Sequence, residues 1–299
     1  MKVAHINNIS GVASILSKNQ RQQGLEVDIF VFNKMIYNQF GGILINYKSP
    51  FSRWNILKKL KHYDVLHYHY PYGSLKRSLD KLSKEKIYLK HYHGNDIRGK
   101  HDPDPCLVST PDLLQYTPNG IWLPNPVDID AIDQIVTSRE LDSRNGPLRL
   151  AHYPYYKNSP STFTDYYSEI LDRVKRENKC EIVEIFKLSN QETLKRIASS
   201  DIVIGKILPD VGWFGKFELE AMAIGKPVIA YVSDELFEKY KPPIFRTTKN
   251  TFQEDLKYLI ESDQQRNRMI SEGPAYIRKN HNIDDIIATI NRYYHNQFF

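Results

Sequence analysis

The stretch from Gly212 to Val232, GWFGKFELEAMAIGKPVIAYV, restricts the possible folds more than any other part of the chain. An apolar run, Ile202–Leu208, precedes it and reads as a buried parallel strand. A loop with Gly212 and Gly215 follows, then a short helix of strong helix formers that ends at Gly225. Pro227 stops that helix, and Val228–Val232 starts another strand. Strand, glycine loop, helix and strand in that order require a parallel sheet and therefore an α/β fold. The helix start offers unpaired N–H groups and the positive end of a dipole to an anion, and glycines let a phosphate approach the backbone. Glu220 lies three residues from Phe217 and four from Ile224, so its carboxylate sits beside apolar positions. An acid placed there needs a partner. Lys216, four residues earlier, supplies one on the plain reading, and a bound ligand supplies one on the other.

A length of 299 residues suffices for two domains, each with its own core. With 41% hydrophobic and 25% charged residues, the composition is that of a soluble globular protein. No apolar run reaches the ~20 residues that span a bilayer. The N-terminal MKVAHINNIS carries no signal-peptide core and reads directly as a strand. Cys106 and Cys180 stand far apart and fit no metal spacing, which points to a reducing, cytoplasmic compartment. A formal charge of +6 admits anionic partners: nucleotide phosphates, an acidic membrane surface or nucleic acid. Apart from Lys58, Lys59 and Lys61 the cations are scattered, and no zinc-finger, RRM or helix-turn-helix signature occurs. No nucleic-acid partner is therefore expected.

Lys2–Asn7 reads as a strand, Asn8–Val12 as a polar loop containing Gly11, and the next residues as a helix ending at Gly24, before a strand over Val27–Phe32. Asp64–His69 and Lys86–His93 are further short strands, each ending in His-x-His. Four histidines could hold zinc, but structural zinc sites usually include cysteine and the spacing suits two strand ends equally, so no metal is expected. Asp102-Pro103-Asp104 reads as a solvated loop. IWLPNPVD, Ile121–Asp128, has the paired prolines of a stiff linker. Leu148–His152 opens a second α/β half, Glu181–Lys187 is a strand, and Gln191–Ser199 a helix leading to Asp201. Thr251–Ser271 reads as one amphipathic helix, and Ile283–His295 has helical apolar spacing.

Trp213–Ile229 resembles the donor-binding motif of GT-B glycosyltransferases, specifically the retaining family 4, whose pattern runs E-G-F-G-x3-x-E-A-M-A-x-G-K-P-V-I. Glu220 takes the second acid of that pattern, while Gly212 stands where the first acid belongs. His93-Gly94-Asn95-Asp96-Ile97-Arg98 is similar to the family's H-G-S-D-x-R, IWLPNPVD to its interdomain connector, and the loop around Gly11 to its G-G-V turn, with Ser10 replacing one glycine. YPYYKNSPST resembles the loop that grips the donor diphosphate, with Lys157 on the first basic position and Pro160 on the second.

The resemblance implies two Rossmann-like domains facing across a cleft. They are an N-terminal acceptor domain over 1–125, a donor domain over 126–282, and a C-terminal helix, 283–299, returning to the first. It further implies transfer of a sugar from a nucleotide-diphosphate sugar to an acceptor hydroxyl, with retention of configuration and without a metal or other cofactor. Charge develops on the leaving diphosphate, so fixed cations and N–H donors are needed. Lys157, Lys206, Gly215 and Lys216 are the candidates, with Gly11 and Phe214 also lining the donor, Glu220 on the ribose hydroxyls and His93 on the sugar. Asp210 is a candidate substitute for the missing first acid. The acceptor is a glycan, a small molecule or a lipid-linked compound. Lys58–Lys61 with Trp54 and Tyr63 form either a solvated helix face or a contact with an anionic membrane, placing the protein in the cytoplasm or at a membrane periphery. The alternatives are a GT-B epimerase or phosphorylase, a non-catalytic nucleotide-sugar-binding subunit, and a basic nucleic-acid binder.

Overall fold

The computed structural model describes residues 1–32, 40–45, 49–69, 86–137, 146–154, 164–178 and 180–295. It divides into two compact units, one of Met1–Pro126 with His281–Phe299 and one of Val127–Asn280.

The first unit is a seven-stranded parallel sheet in the order β3-β2-β1-β4-β5-β6-β7. Its strands are β1 (Lys2–Ile6), β2 (Glu26–Val31), β3 (Ile43–Leu44), β4 (Val65–His69), β5 (Ile87–Tyr92), β6 (Cys106–Val108) and β7 (Gly120–Trp122). Helix α1 (Val12–Gln22) follows β1, α2 (Pro50–Leu60) precedes β4, and α10 (Ile283–Tyr294) comes from the end of the chain. Side chains alternate across a strand, so Val3, Val65 and Leu89 share one face, which packs on Val12 and Leu16 of α1 and on Ile286, Ile287 and Ile290 of α10. Ala4, Leu66 and Tyr68 face the other way, onto Ile56 and Leu60 of α2.

The second unit has a five-stranded parallel sheet in the order β12-β11-β10-β8-β9. Its strands are β8 (Arg149–His152), β9 (Glu181–Glu184), β10 (Ile202–Ile204), β11 (Val228–Ala230) and β12 (Phe245–Arg246). Helices α3 (Ile129–Thr137), α4 (Thr164–Asn178), α5 (Asn190–Ala198), α6 (Lys216–Ala223), α7 (Asp234–Tyr240), α8 (Phe252–Glu261) and α9 (Asp263–Asn280) pack around it. Strand β10 lies between β8 and β11, and its residues Ile202, Val203 and Ile204 are fully buried, as a central parallel strand requires.

The strands read over Glu181–Lys187 and from Val228 to Val232 end at Glu184 and Ala230, and two further elements differ from the sequence reading. The strand read over Ile202–Leu208 ends at Ile204, because Gly205 marks a close approach: a methyl group there would lie 2.6 Å from the Glu218 side chain. The single helix read over Thr251–Ser271 is two, α8 and α9, with Ser262 between them in a non-helical conformation (φ −99°, ψ 89°).

Candidate functional site

The loop after β10 and the start of α6 are tied together by one carboxylate. Glu218 is fully buried and accepts hydrogen bonds from the Lys206 N–H (2.7 Å) and the Gly215 N–H (2.8 Å). The second bond is a capping interaction, satisfying a donor that a helix start otherwise leaves orphaned. Glu218 thereby clamps the turn. A glutamate three residues after Gly215, the capping-box spacing at a helix start, is the signal that identifies it. The clamp brings Lys206 over the helix start: a methyl group on Gly215 would sit 2.5 Å from the Lys206 ammonium nitrogen. Glycine at 215 is what makes room for that cation.

Glu220 and Lys216 form an ion pair within α6, with 3.6 Å between carboxylate and ammonium. Asn190 of α5 donates a further hydrogen bond to Glu220 (3.2 Å). Burial raises the Glu220 carboxyl above its ordinary range and lowers the Lys216 ammonium below its own, in each case outweighing their mutual attraction. A buried pair whose members are both pushed toward neutrality gains from a ligand that supplies further hydrogen bonds or charge. Phe214 is 2% exposed and stacked on Trp213, with ring centroids 4.3 Å apart, so it offers a ligand its backbone and not its ring. Gly212 has φ +72°, a conformation that disfavours any residue with a side chain, although a methyl group there would meet Ser233 only at an ordinary contact distance of 3.5 Å. Asp210 is exposed. Lys157 lies outside the described residues.

In the first unit, Gly11 caps α1 at φ +74°, and a side chain there would collide with the Phe40 ring, 2.5 Å from a methyl position. His93 stands just beyond β5, half-buried. The Asp96 carboxylate accepts hydrogen bonds from the backbone N–H groups of His93 (3.0 Å) and Gly94 (2.7 Å), fixing the turn. Gly94 has φ +146° and a methyl there would meet the Arg98 guanidinium at 2.8 Å. Arg98 in turn donates to Asp112 (2.7 Å), so the H-G-N-D-x-R segment is held on both sides. Asp102 and Asp104 lie in a largely exposed loop, as read from the sequence, and accept hydrogen bonds from the Lys90 ammonium at 2.6 and 2.7 Å.

His93 belongs to a larger group. His5, His67, His69 and His91 are fully buried beside it, and burial lowers the imidazole of each, to about 4 for His5 and about 3 for His93. Donor nitrogens of His5, His67 and His69, and of His69, His91 and His93, lie within 4.8 Å of one another, a donor set suited to zinc or copper. The four His-x-His residues were visible as strand ends; His5, on a strand far away in sequence, was not.

No protein-family model and no curated protein matches the sequence. Solved structures do match. UDP-glucose-bound Anabaena Alr3699/HepE superposes with a TM-score of 0.69 at 13% identity, over 99% of this chain and 100% of that one. Sucrose-phosphate synthase from Thermosynechococcus elongatus gives 0.66 at 13% identity, over 100% and 99%. A glycosyltransferase from Rickettsia africae ESF-5 gives 0.64 at 14% identity, over 99% and 98%. At such identities the likeness is one of fold, and the fold is that of the α/β GT-B glycosyltransferases.

Proposed function

We propose that the protein is a nucleotide-sugar-dependent glycosyltransferase, with the donor's nucleotide diphosphate held by the turn between β10 and α6. The observation that carries this reading is the Lys206 ammonium set against Gly215, the N-cap of α6, which combines a fixed cation with the positive end of a helix dipole. Lys216 and Glu220 stand in the first turns of the same helix, and Glu220 keeps acceptor capacity for a ribose hydroxyl beyond its bonds to Lys216 and Asn190. Support from fold comes from the UDP-glucose complex of HepE.

In this reading negative charge grows on the leaving diphosphate, and Lys206, Lys157 and the α6 N–H groups stabilise it without a metal ion. His93 orients the sugar through a hydrogen bond. Its low imidazole pKa keeps it neutral at physiological pH, which suits that role better than cationic or nucleophilic chemistry. Retention of anomeric configuration, membership of family 4 and a hexosyl donor follow from the motif resemblance. An acceptor at a membrane is favoured by one surface: Phe51 and Trp54 of α2 are 72% and 52% exposed, and the Lys58 ammonium lies 3.6 Å from the Trp54 ring centre. Such a basic, aromatic helix face suits peripheral contact with an anionic bilayer from the cytoplasm. Gly212 in place of the first acid favours a second reading, a subunit that binds the nucleotide-sugar without turning it over.

A thermal-shift screen over nucleoside diphosphates and their sugars, followed by a transfer assay with the hit, tests the proposal. Stabilisation by one nucleotide-sugar and release of its diphosphate in the presence of glycan or lipid-linked acceptors are expected. Stabilisation without turnover would select the binding subunit, and no stabilisation by any nucleotide would reject both readings.

A further inference from the structure

The histidines of the first unit form two hydrogen-bonded rows stacked on one another. Register sets His5 beside His67 and His69 beside His91, all on the sheet face covered by α1 and α10. In one row, His93 Nε2 meets His69 Nδ1 at 2.9 Å, His69 Nε2 meets His5 Nδ1 at 2.8 Å, and His5 Nε2 meets Gln20 Oε1 at 2.7 Å. In the other, His91 Nδ1 meets His67 Nε2 at 3.2 Å, and His67 Nδ1 meets the Tyr294 hydroxyl at 2.8 Å. The Gln20 amide donates to the same hydroxyl (3.3 Å) and joins the rows. His67 stacks on His69 with centroids 4.4 Å apart and planes 14° from parallel, and His91 lies over His93 at 4.3 Å and 32°.

This geometry distinguishes a chain from a metal site. Ligands of one ion aim their lone pairs at a common centre, whereas these rings lie in layers with their nitrogens pointed along the rows at one another. The rings are neutral at physiological pH, as their lowered pKa values require, so each has one N–H and one bare nitrogen. A row of such rings can run in one direction only. Gln20 Oε1 is an acceptor, so His5 donates from Nε2 and accepts at Nδ1. His69 must then donate from Nε2 and accept at Nδ1, and the proton it accepts is on His93 Nε2.

We infer that Gln20, His5 and His69 are positioning residues that hold His93 as its Nε2–H tautomer, with Nδ1 bare to accept a hydrogen bond from a ligand hydroxyl. The inference rests on the proposed role of His93 toward the sugar. The same direction continues through Tyr294 and His67 and ends on His91 Nε2, which has no hydrogen-bond partner among the described residues.

Nitrogen NMR of the full chain labelled with ¹⁵N-histidine tests this, with His93 assigned by loss of its signals in His93→Gln. Wild-type His93 should show a protonated Nε2 and a bare Nδ1 near neutral pH. His69→Leu should move both frequencies toward those of a tautomer mixture and lower kcat several-fold with little change in donor KM. His67→Leu, equally buried but in the other row, should leave the His93 frequencies in place. A protonated Nδ1 in the wild type, or identical His93 frequencies in His69→Leu and wild type, would overturn the inference, and the wild-type spectrum decides it even if the variants fail to fold. One equivalent of zinc shifting the signals of His69, His91 and His93 together would also overturn it, making the cluster a metal site. The spectra need no substrate. A fixed Nε2–H tautomer alongside full turnover in His93→Ala would remove the proposed role of His93 toward the sugar and leave the chain standing.

Discussion

Mild acid should unfold the first unit, because four fully buried histidines must stay neutral for it to remain folded. His5, His67, His69 and His91 are each 0% exposed, and burial in low dielectric lowers every one of their pKa values, that of His5 to about 4. In the unfolded chain the same imidazoles titrate at about 6.5. Between those values the unfolded state binds more protons than the folded one, so stability is present above about pH 6.5 and is lost as the pH falls. At about pH 5.5 each histidine contributes a loss on the order of 1 kcal/mol, and the four together roughly 4–6 kcal/mol. A domain of ordinary stability has about 5–15 kcal/mol in total, so the loss is decisive. Calorimetric melts of the full chain over about pH 7.5 to 5 should show the Tm of one transition falling steeply below pH 6.5, with an uptake of at least four protons on unfolding, since His93 and His281 are lowered as well. His67→Leu should reduce that uptake by about one proton. A Tm that is flat over the same range would refute the claim that these imidazoles are neutral and desolvated.

Other substitutions separate the clamp from the site. Glu218→Ala should destabilise the second unit by roughly 3–5 kcal/mol in urea melts, since two buried N–H groups lose a charged acceptor. Glu220→Ala should weaken nucleotide binding by on the order of 1.5–3 kcal/mol in calorimetry, as hydrogen bonds to a charged acceptor are lost. Gly212→Glu places the missing acid at a positive φ and should cost about 1–2 kcal/mol of stability by the same melts, whatever it does for donor affinity. Trp54→Ala should reduce sedimentation with anionic vesicles and leave neutral vesicles, and transfer to a soluble acceptor, unaffected.

The fold was legible because its signals are local and repeated. Short β-branched runs such as Val27–Val31, a helix stopped at Gly225 and Pro227, and the prolines of IWLPNPVD each specify a parallel α/β element or a connector. Boundaries set by tertiary contact were not legible. Nothing within Ile202–Leu208 reveals that Glu218, arriving from the helix beyond, ends the strand at Ile204 and captures the Lys206 N–H. The histidine rows illustrate the same limit. His67, His69, His91 and His93 stood out by their spacing, but His5, Gln20 and Tyr294 join them from β1, α1 and α10, and only the sheet order brings those residues together. The Lys216–Glu220 pair was foreseen as one of two readings, and the structure shows that pair formed, with Asn190 as its third member.

The central claim is that the turn between β10 and α6 binds the diphosphate of a nucleotide-sugar, and isothermal titration with a nucleoside diphosphate measures it directly. The Lys206 ammonium beside Gly215 should supply most of the phosphate-specific attraction in that turn. Diphosphate should therefore bind the wild type with an affinity that falls as salt rises, while the bare nucleoside binds weakly and without salt dependence. Lys206→Met should lose about tenfold or more in diphosphate affinity, about 1.4 kcal/mol, leave nucleoside affinity unchanged, and keep the wild-type circular dichroism. Equal diphosphate affinity in wild type and Lys206→Met, or no diphosphate binding by the wild type, would contradict the account.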